Sequence, residues 1–237
     1  MDLDDLICRA KQRSDDSGHQ PFSKEFDWAI WASEGERQAC MRASLIYDDT
    51  SDFCTIAILP GITSYELDHR ILRISDENVR WKFTDSTRLW PVTMTGIDRR
   101  FHHHRRHHHH WHEMWDCDEN VTGNRVDRIA QVNKTLHVWP KPSSTLSGSL
   151  MLGVYRLPLY PMEDGGDEPE IPLEQRDGLV DWMLYRAWST KDPEQNDPQA
   201  AKIAYDNFEA RFGPLESADV MRRHNERRSI TPEYGGY

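Results

Sequence analysis

The sequence predicts an α+β fold: an antiparallel helical bundle with a β-rich insert and an extended C-terminal arm. Three observations predict it. Apolar residues recur at helical spacing over residues 1–47 and again from Ile171 to Phe212. The stretch between them breaks into short alternating runs separated by turn residues. Beyond Leu215 the chain is polar and basic, with too few apolar residues to pack on its own, so it reads as an arm that orders against a partner.

The first helix is carried by Leu3, Leu6, Ile7 and Ala10, one face at i, i+3, i+4 spacing, and stops at Ser14-Asp15-Asp16-Ser17-Gly18. Pro21-Phe22-Ser23 opens a second, with Ser23 as N-cap, and Phe26, Ala29, Ile30, Arg37, Cys40, Met41 and Ser44-Leu45 fall near one face. Gly35 weakens that helix. After Tyr47-Asp48-Asp49 the period changes. Phe53 to Leu59 reads as a strand ended by the turn Pro60-Gly61, and Tyr65-Glu66-Leu67, Ile71 to Ile74, Val79 to Phe83 and Trp90-Pro91-Val92 follow. Arg128 to Val132, Thr135 to Trp139 and Ser149 to Tyr155 complete the strands at hairpin spacing. Pro172 then starts a helix with Leu173, Leu179-Val180, Met183-Leu184 and Ala187-Trp188 in phase. Asp197-Pro198 caps the next, striped by Ala201, Ala204, Tyr205, Phe208 and Phe212 and stopped by Gly213-Pro214. The expected domains are a helical one from 1–50 and 170–214, a β-rich insert over 51–160 with a His-rich segment at about 95–117, and an arm over 215–237.

With 237 residues, 37% hydrophobic content and nine tryptophans, the chain has a modest core with long polar surfaces. Its net charge of -11 is a poor match for wrapping tightly around nucleic acid, yet suits a wall that DNA slides past. Cys8, Cys40, Cys54 and Cys117 are widely spaced and read as free thiols in a reduced, cytosolic place of synthesis. Neither a secretory signal nor a run of about 18 apolar residues is found, so no membrane is expected.

Eight histidines lie between His102 and His112, with Glu113, Asp116 and Cys117 nearby. These are ligand types for zinc or nickel, and on a helix His103 with His107 and His104 with His108 would sit one turn apart. Homopolymeric runs lack the fixed geometry and supporting contacts of a dedicated centre, so no native metal and no cofactor are expected. With Arg99, Arg100, Arg105 and Arg106 this is the most positive stretch of an acidic chain. Those arginines, with His107 and His110, read as DNA- or neighbour-facing. A His-rich metal- or nucleic-acid-binding module is the alternative reading of the whole chain.

Asp177 and Asp181 lie one helical turn apart, but a solvated or salt-bridged face explains them without general acid–base chemistry. Glu163 to Glu168 is acidic and glycine-bearing, lacks calcium-loop spacing and reads as a mobile loop. No GxSxG elbow, Walker loop or HExxH motif occurs, so no catalytic residue is expected.

The order of the pieces, with "LHVWPKPSSTLSGSLMLGVYRLPLYPM" and "IPLEQRDGLVDWMLYRAWSTKDPEQNDPQAAKIAYDNFEARFG", resembles the head–tail adaptor (connector, head-completion) proteins of tailed bacteriophages, and is similar to the tail tubular protein A family. Leu136 to Pro140, Leu150 to Pro161 and Ile171 to Gly213 match best; Pro60 to Ile74 matches more loosely. The resemblance implies a non-enzymatic virion protein at the neck, in a homo-oligomeric ring of twelve between portal and tail. Its partners would be the portal, two neighbouring copies, the next tail or nozzle protein, and DNA passing through the channel without sequence-specific binding. The arm would bind the portal through Ile230, Pro232, Tyr234 and Tyr237, the aromatics serving as anchors. The His-rich segment has no counterpart in that pattern.

Overall fold

The computed structural model describes residues 1–14, 25–94, 121–189 and 197–215. The chain divides into two compact units, one built from residues 1–47 and 156–215, the other from 48–155.

The first unit holds four helices: α1 (Leu3–Arg13), α2 (Glu25–Ala43), α3 (Leu173–Trp188) and α4 (Pro198–Phe212). Helix α1 buries the four residues its spacing marks, Leu3, Leu6, Ile7 and Ala10, and Asp2 caps it by accepting from the Asp5 N–H. Its first turn is also tied to the acidic loop, where Leu3 N–H donates to Asp167 O and Asp4 N–H to Gly165 O. Asp167 in turn accepts from the Glu163 and Asp164 N–H groups, both at 2.9 Å. The loop expected to be mobile is therefore a hydrogen-bonded clip on the start of α1.

The expectation of an antiparallel helical bundle is overturned. Among the described residues, four helices stand beside eleven strands in three sheets, a strand-rich α+β arrangement. The physical reason lies between the helices, where the described residues from 46 to 156 pair as strands instead of joining the helical packing. Within the helical unit every residue from Gly178 to Leu184 is buried, so α3 is covered on nearly all sides. Helices α1, α2 and α4 all pack on it. Trp182 tilts against Phe208 of α4 with ring centroids 5.0 Å apart, and a Cβ on Gly35 of α2 would lie 3.1 Å from the Trp182 side chain. The glycine that weakens the second helix on propensity is thus where α2 approaches α3. Helix α2 buries Trp28, Ala29, Ala32, Ala39 and Cys40, whereas Ile30 is 46% exposed and Arg37 faces solvent. Helix α4 is capped by Asp197, whose carboxylate accepts from the Gln199 and Ala200 N–H groups, and stops at Gly213 with φ of 87°. Ser23, read as the cap of α2, lies outside the described residues.

The second unit contains most of the strands. In chain order they are β1 (Ile46–Asp48), β2 (Thr55–Ile58), β3 (Ser64–Glu66), β4 (Ile71–Phe83), β5 (Leu89–Pro91), β6 (Thr93–Met94), β7 (Thr122–Gly123), β8 (Arg128–Val132), β9 (Thr135–Trp139), β10 (Lys141–Pro142) and β11 (Gly148–Arg156). One sheet has the order β1-β11-β4-β5, with β2 also pairing β11; a second runs β3-β9-β8-β6; the third is β10 with β7. Strand β6 runs parallel to β8, and β7 parallel to β10. The core between the strands is Ile71, Ile74, Val79, Trp81, Ile129, Leu136, Leu150, Leu152 and their neighbours. Gln131 is the polar residue in this core: its side-chain oxygen accepts from Ile74 N–H and its amide donates to Asn133 O.

Two details differ from the alternation in the sequence. Phe53 and Cys54 belong to a 3₁₀ turn (Asp52–Cys54), because Asp48 accepts from the Thr50 and Ser51 N–H groups and curls the chain there. The stretches Ile71–Ile74 and Val79–Phe83 are one 13-residue strand, continuous through Ser75-Asp76-Glu77-Asn78.

Candidate functional site

Every residue that the sequence singles out for binding lies outside the described residues. That holds for Arg99, Arg100, Arg105, Arg106, His107 and His110, for the His103/His107 and His104/His108 pairs, and for Ile230, Pro232, Tyr234 and Tyr237. Among the described residues, no group of three or more His, Cys, Asp or Glu side chains converges as a metal site. Cys8 is exposed, and Cys40 and Cys54 are buried; all three are free thiols.

The carboxylates of the helical unit are engaged in holding helices. Asp177 takes Arg9 at 2.9 Å and Arg13 at 3.4 Å, and Asp181 takes Arg13 at 3.3 Å, joining α1 to α3. Burial raises the Asp181 carboxyl above its usual range, with Arg13 and Arg211 opposing. Glu34 pairs with Arg186. Glu36 is different: it is 1% exposed and accepts from Ile171 N–H at 3.1 Å. Burial pushes its carboxyl up to about 7. One turn on, burial and the charges of Glu36 and Glu170 push the Cys40 thiol up as well. Glu170 is held by Arg156 at 2.7 Å. These are two acids in unlike surroundings, but Glu36 is enclosed by protein, so the pair fixes the start of α3 rather than meeting a ligand.

In the β unit a shallow cleft of about 640 Å³ is lined by Phe53, Ile56, Leu67, Asp68, His69 and Lys134, among others. Arg70 hydrogen-bonds both oxygens of Asp68 at 2.9 Å and holds that carboxyl well below its usual range. The Lys134 ammonium donates to the carbonyls of His69 and Ile71, and burial lowers its pKa. Asp68 and Lys134, the charged groups with shifted titration in the cleft, are thus held by protein partners.

A second group in this unit sets arginines against indole rings. The Arg88 guanidinium lies 4.0 Å from the centroid of the Trp90 ring, and that of Arg125 lies 5.1 Å from the same ring. Arg128 lies 5.3 Å from the Trp139 ring, its partner across β8 and β9. The two clusters are joined through Asp127, whose carboxylate pairs with Arg125 at 2.6 Å and whose N–H donates to Trp139 O. All three arginines are exposed. Sequence reasoning passed over them: Arg88 lies just before β5, and only the folded chain lays its guanidinium over Trp90. The Arg128–Trp139 pair needs the strand register, which the sequence does not display.

No helix among the described residues is long and apolar enough to cross a membrane. A family model, described as SU10 adaptor protein, matches residues 1–231. No match is found among the curated proteins.

Proposed function

The chain belongs to the SU10 adaptor protein family, a structural adaptor of a bacteriophage, and on that premise we propose that it forms the ring joining the portal of the head to the tail. The observation that carries this reading is the extent of the match, residues 1–231, which takes in the sequence of both units. Twelve copies extend the DNA channel below the portal, seal the neck after packaging and give the next tail or nozzle protein its platform. Each copy meets two neighbours, and no chemistry is performed. The charge of -11 suits a channel through which the duplex passes without sequence-specific binding. Residues 215–237 reach the portal, with Ile230, Pro232, Tyr234 and Tyr237 as the anchoring side chains. Arg99, Arg100, Arg105, Arg106, His107 and His110 face DNA or the adjoining copy.

The test is negative-stain electron microscopy of this protein mixed with the portal of the same genome. A new ring of density at the portal's narrow end is the expected result. Bare portals beside free copies, under conditions that assemble genuine necks, would overturn the reading.

A further inference from the structure

The geometry points to a contact surface for the phosphate backbone of duplex nucleic acid, made by Arg88, Arg125 and Arg128 where Trp90 and Trp139 hold them. Three features lead there. First, the chain carries 40 acidic residues against 29 basic ones, yet Arg88 and Arg128 stand exposed and in no ion pair among the described residues, and Asp127, next to Arg128 in sequence, is taken by Arg125. Second, the guanidiniums lie over indole rings at 4.0–5.3 Å, which limits the rotamers open to a long side chain. A held guanidinium gives up less conformational freedom when it binds, and its planar fork matches a phosphate's two oxygens. Third, the strands bring the three together: Thr93 N–H donates to Asp127 O, drawing the chain just after Trp90 beside the Arg125–Arg128 segment.

The type of contact follows from what the rings already do. Trp90 has guanidiniums beside it at 4.0 and 5.1 Å, so it is engaged as a support rather than offered as a bare stacking platform for unpaired bases. Binding runs through charge and hydrogen bonds to phosphate, which carries no base information. The surface is thus a duplex-tolerant, sequence-independent grip set in an otherwise repelling chain. The choice of DNA rather than an acidic protein as the polyanion rests on the adaptor reading above.

The experiment is fluorescence anisotropy of a labelled 20-base-pair duplex titrated with the full chain between 25 and 200 mM salt. The double variant R88Q/R128Q removes the two arginines that form no ion pair among the described residues. It should bind at least tenfold more weakly at the lowest salt, and its log K against log salt slope should be shallower by about 1.8, two phosphates at roughly 0.9 each. The control R37Q/K202Q takes the same charge from exposed positions of the helical unit and should leave both quantities unchanged. R88K/R128K should keep the slope and lose part of the affinity. No binding by the native chain, equal losses in the control, or tighter binding of single strands than of duplex would each overturn the proposal. So would poly-glutamate displacing the duplex at equal charge concentration, which would assign the surface to an acidic protein instead. A ring under the portal together with any of these results would leave the adaptor reading standing and remove the grip alone.

Discussion

Replacing Glu36 by Gln should make the protein more stable above neutral pH, and hardly more stable at pH 5. The side chain is 1% exposed and receives the Ile171 N–H. Burial raises its carboxyl from 4.5 to about 7, with the charge of Glu170 adding to the rise and Arg176 opposing it. The Cys40 thiol lies close enough for the Glu36 charge to push it up in turn. In the unfolded chain the acid ionises near its ordinary value, while in the folded chain it keeps its proton until near neutrality. Stability is therefore fully present below the unfolded pKa and is lost as pH rises through the folded one. A 2.5-unit difference corresponds to about 3 kcal/mol lost once both states are ionised, of which about 2.5 kcal/mol falls between pH 5 and 8. Gln keeps an oxygen for the Ile171 N–H and removes the titration. Urea unfolding of both proteins at pH 5, 6, 7 and 8, followed by circular dichroism, reads the difference between them and cancels the histidines they share. The gain for E36Q should grow from under about 1 kcal/mol at pH 5 toward about 3 kcal/mol at pH 8. A difference that stays constant with pH, or a variant weaker than the native protein at pH 8, would refute burial as the force acting on this carboxyl.

Two further changes test the helical unit. Asp197→Ala removes the carboxylate that takes the Gln199 and Ala200 N–H groups, both at 3.0 Å, and should lower stability by about 1 kcal/mol in the same urea assay, with Asp197→Asn recovering most of it. Arg42→Lys should lower it by about 2 kcal/mol, although the charge is kept. The Arg42 side chain is 1% exposed, and it bonds Gly213 O and Tyr205 Oη at 3.1 Å with different nitrogens while lying over the Tyr205 and Phe208 rings. A single ammonium nitrogen would replace two nitrogens that each reach one acceptor, and an unchanged midpoint would show that the fork is dispensable.

The helices were legible where burial follows local spacing. Leu3, Leu6, Ile7 and Ala10 are buried as their period requires, and α3 and α4 begin and end at the proline, aspartate and glycine signals that mark them. In α2 the reading placed Ile30 inside, because a 3.6-residue period alone does not say where Trp28, Gly35 and Glu36 will find α3 and the start of its segment. Strands were legible as runs but not as pairings. Ser75-Asp76-Glu77-Asn78 looks like a break until β4 is seen to continue through it, and the parallel pairs β6–β8 and β7–β10 join residues far apart in sequence. The arginine–tryptophan surface was missed for the same cause: Arg128 meets Trp139 only once the register of β8 against β9 exists. The histidine run, the most conspicuous feature of the sequence, falls outside the described residues.

The clip between the acidic loop and α1 has a consequence for the order in which the protein is made. Leu3 and Asp4 find their partners at Asp167 and Gly165, and Arg9 and Arg13 find theirs at Asp177 and Asp181. A ribosome therefore releases α1 and then α2, which pack on one another, long before α3 exists for either, and residues 48–155 emerge next as an uninterrupted unit. That unit can close as soon as β11 arrives, since its own strands supply the pairings. The helical unit must wait with α1 and α2 exposed until α3 is synthesised. The apolar face of Leu3, Leu6, Ile7 and Ala10 is thus the part of the nascent chain that stands longest in need of a chaperone.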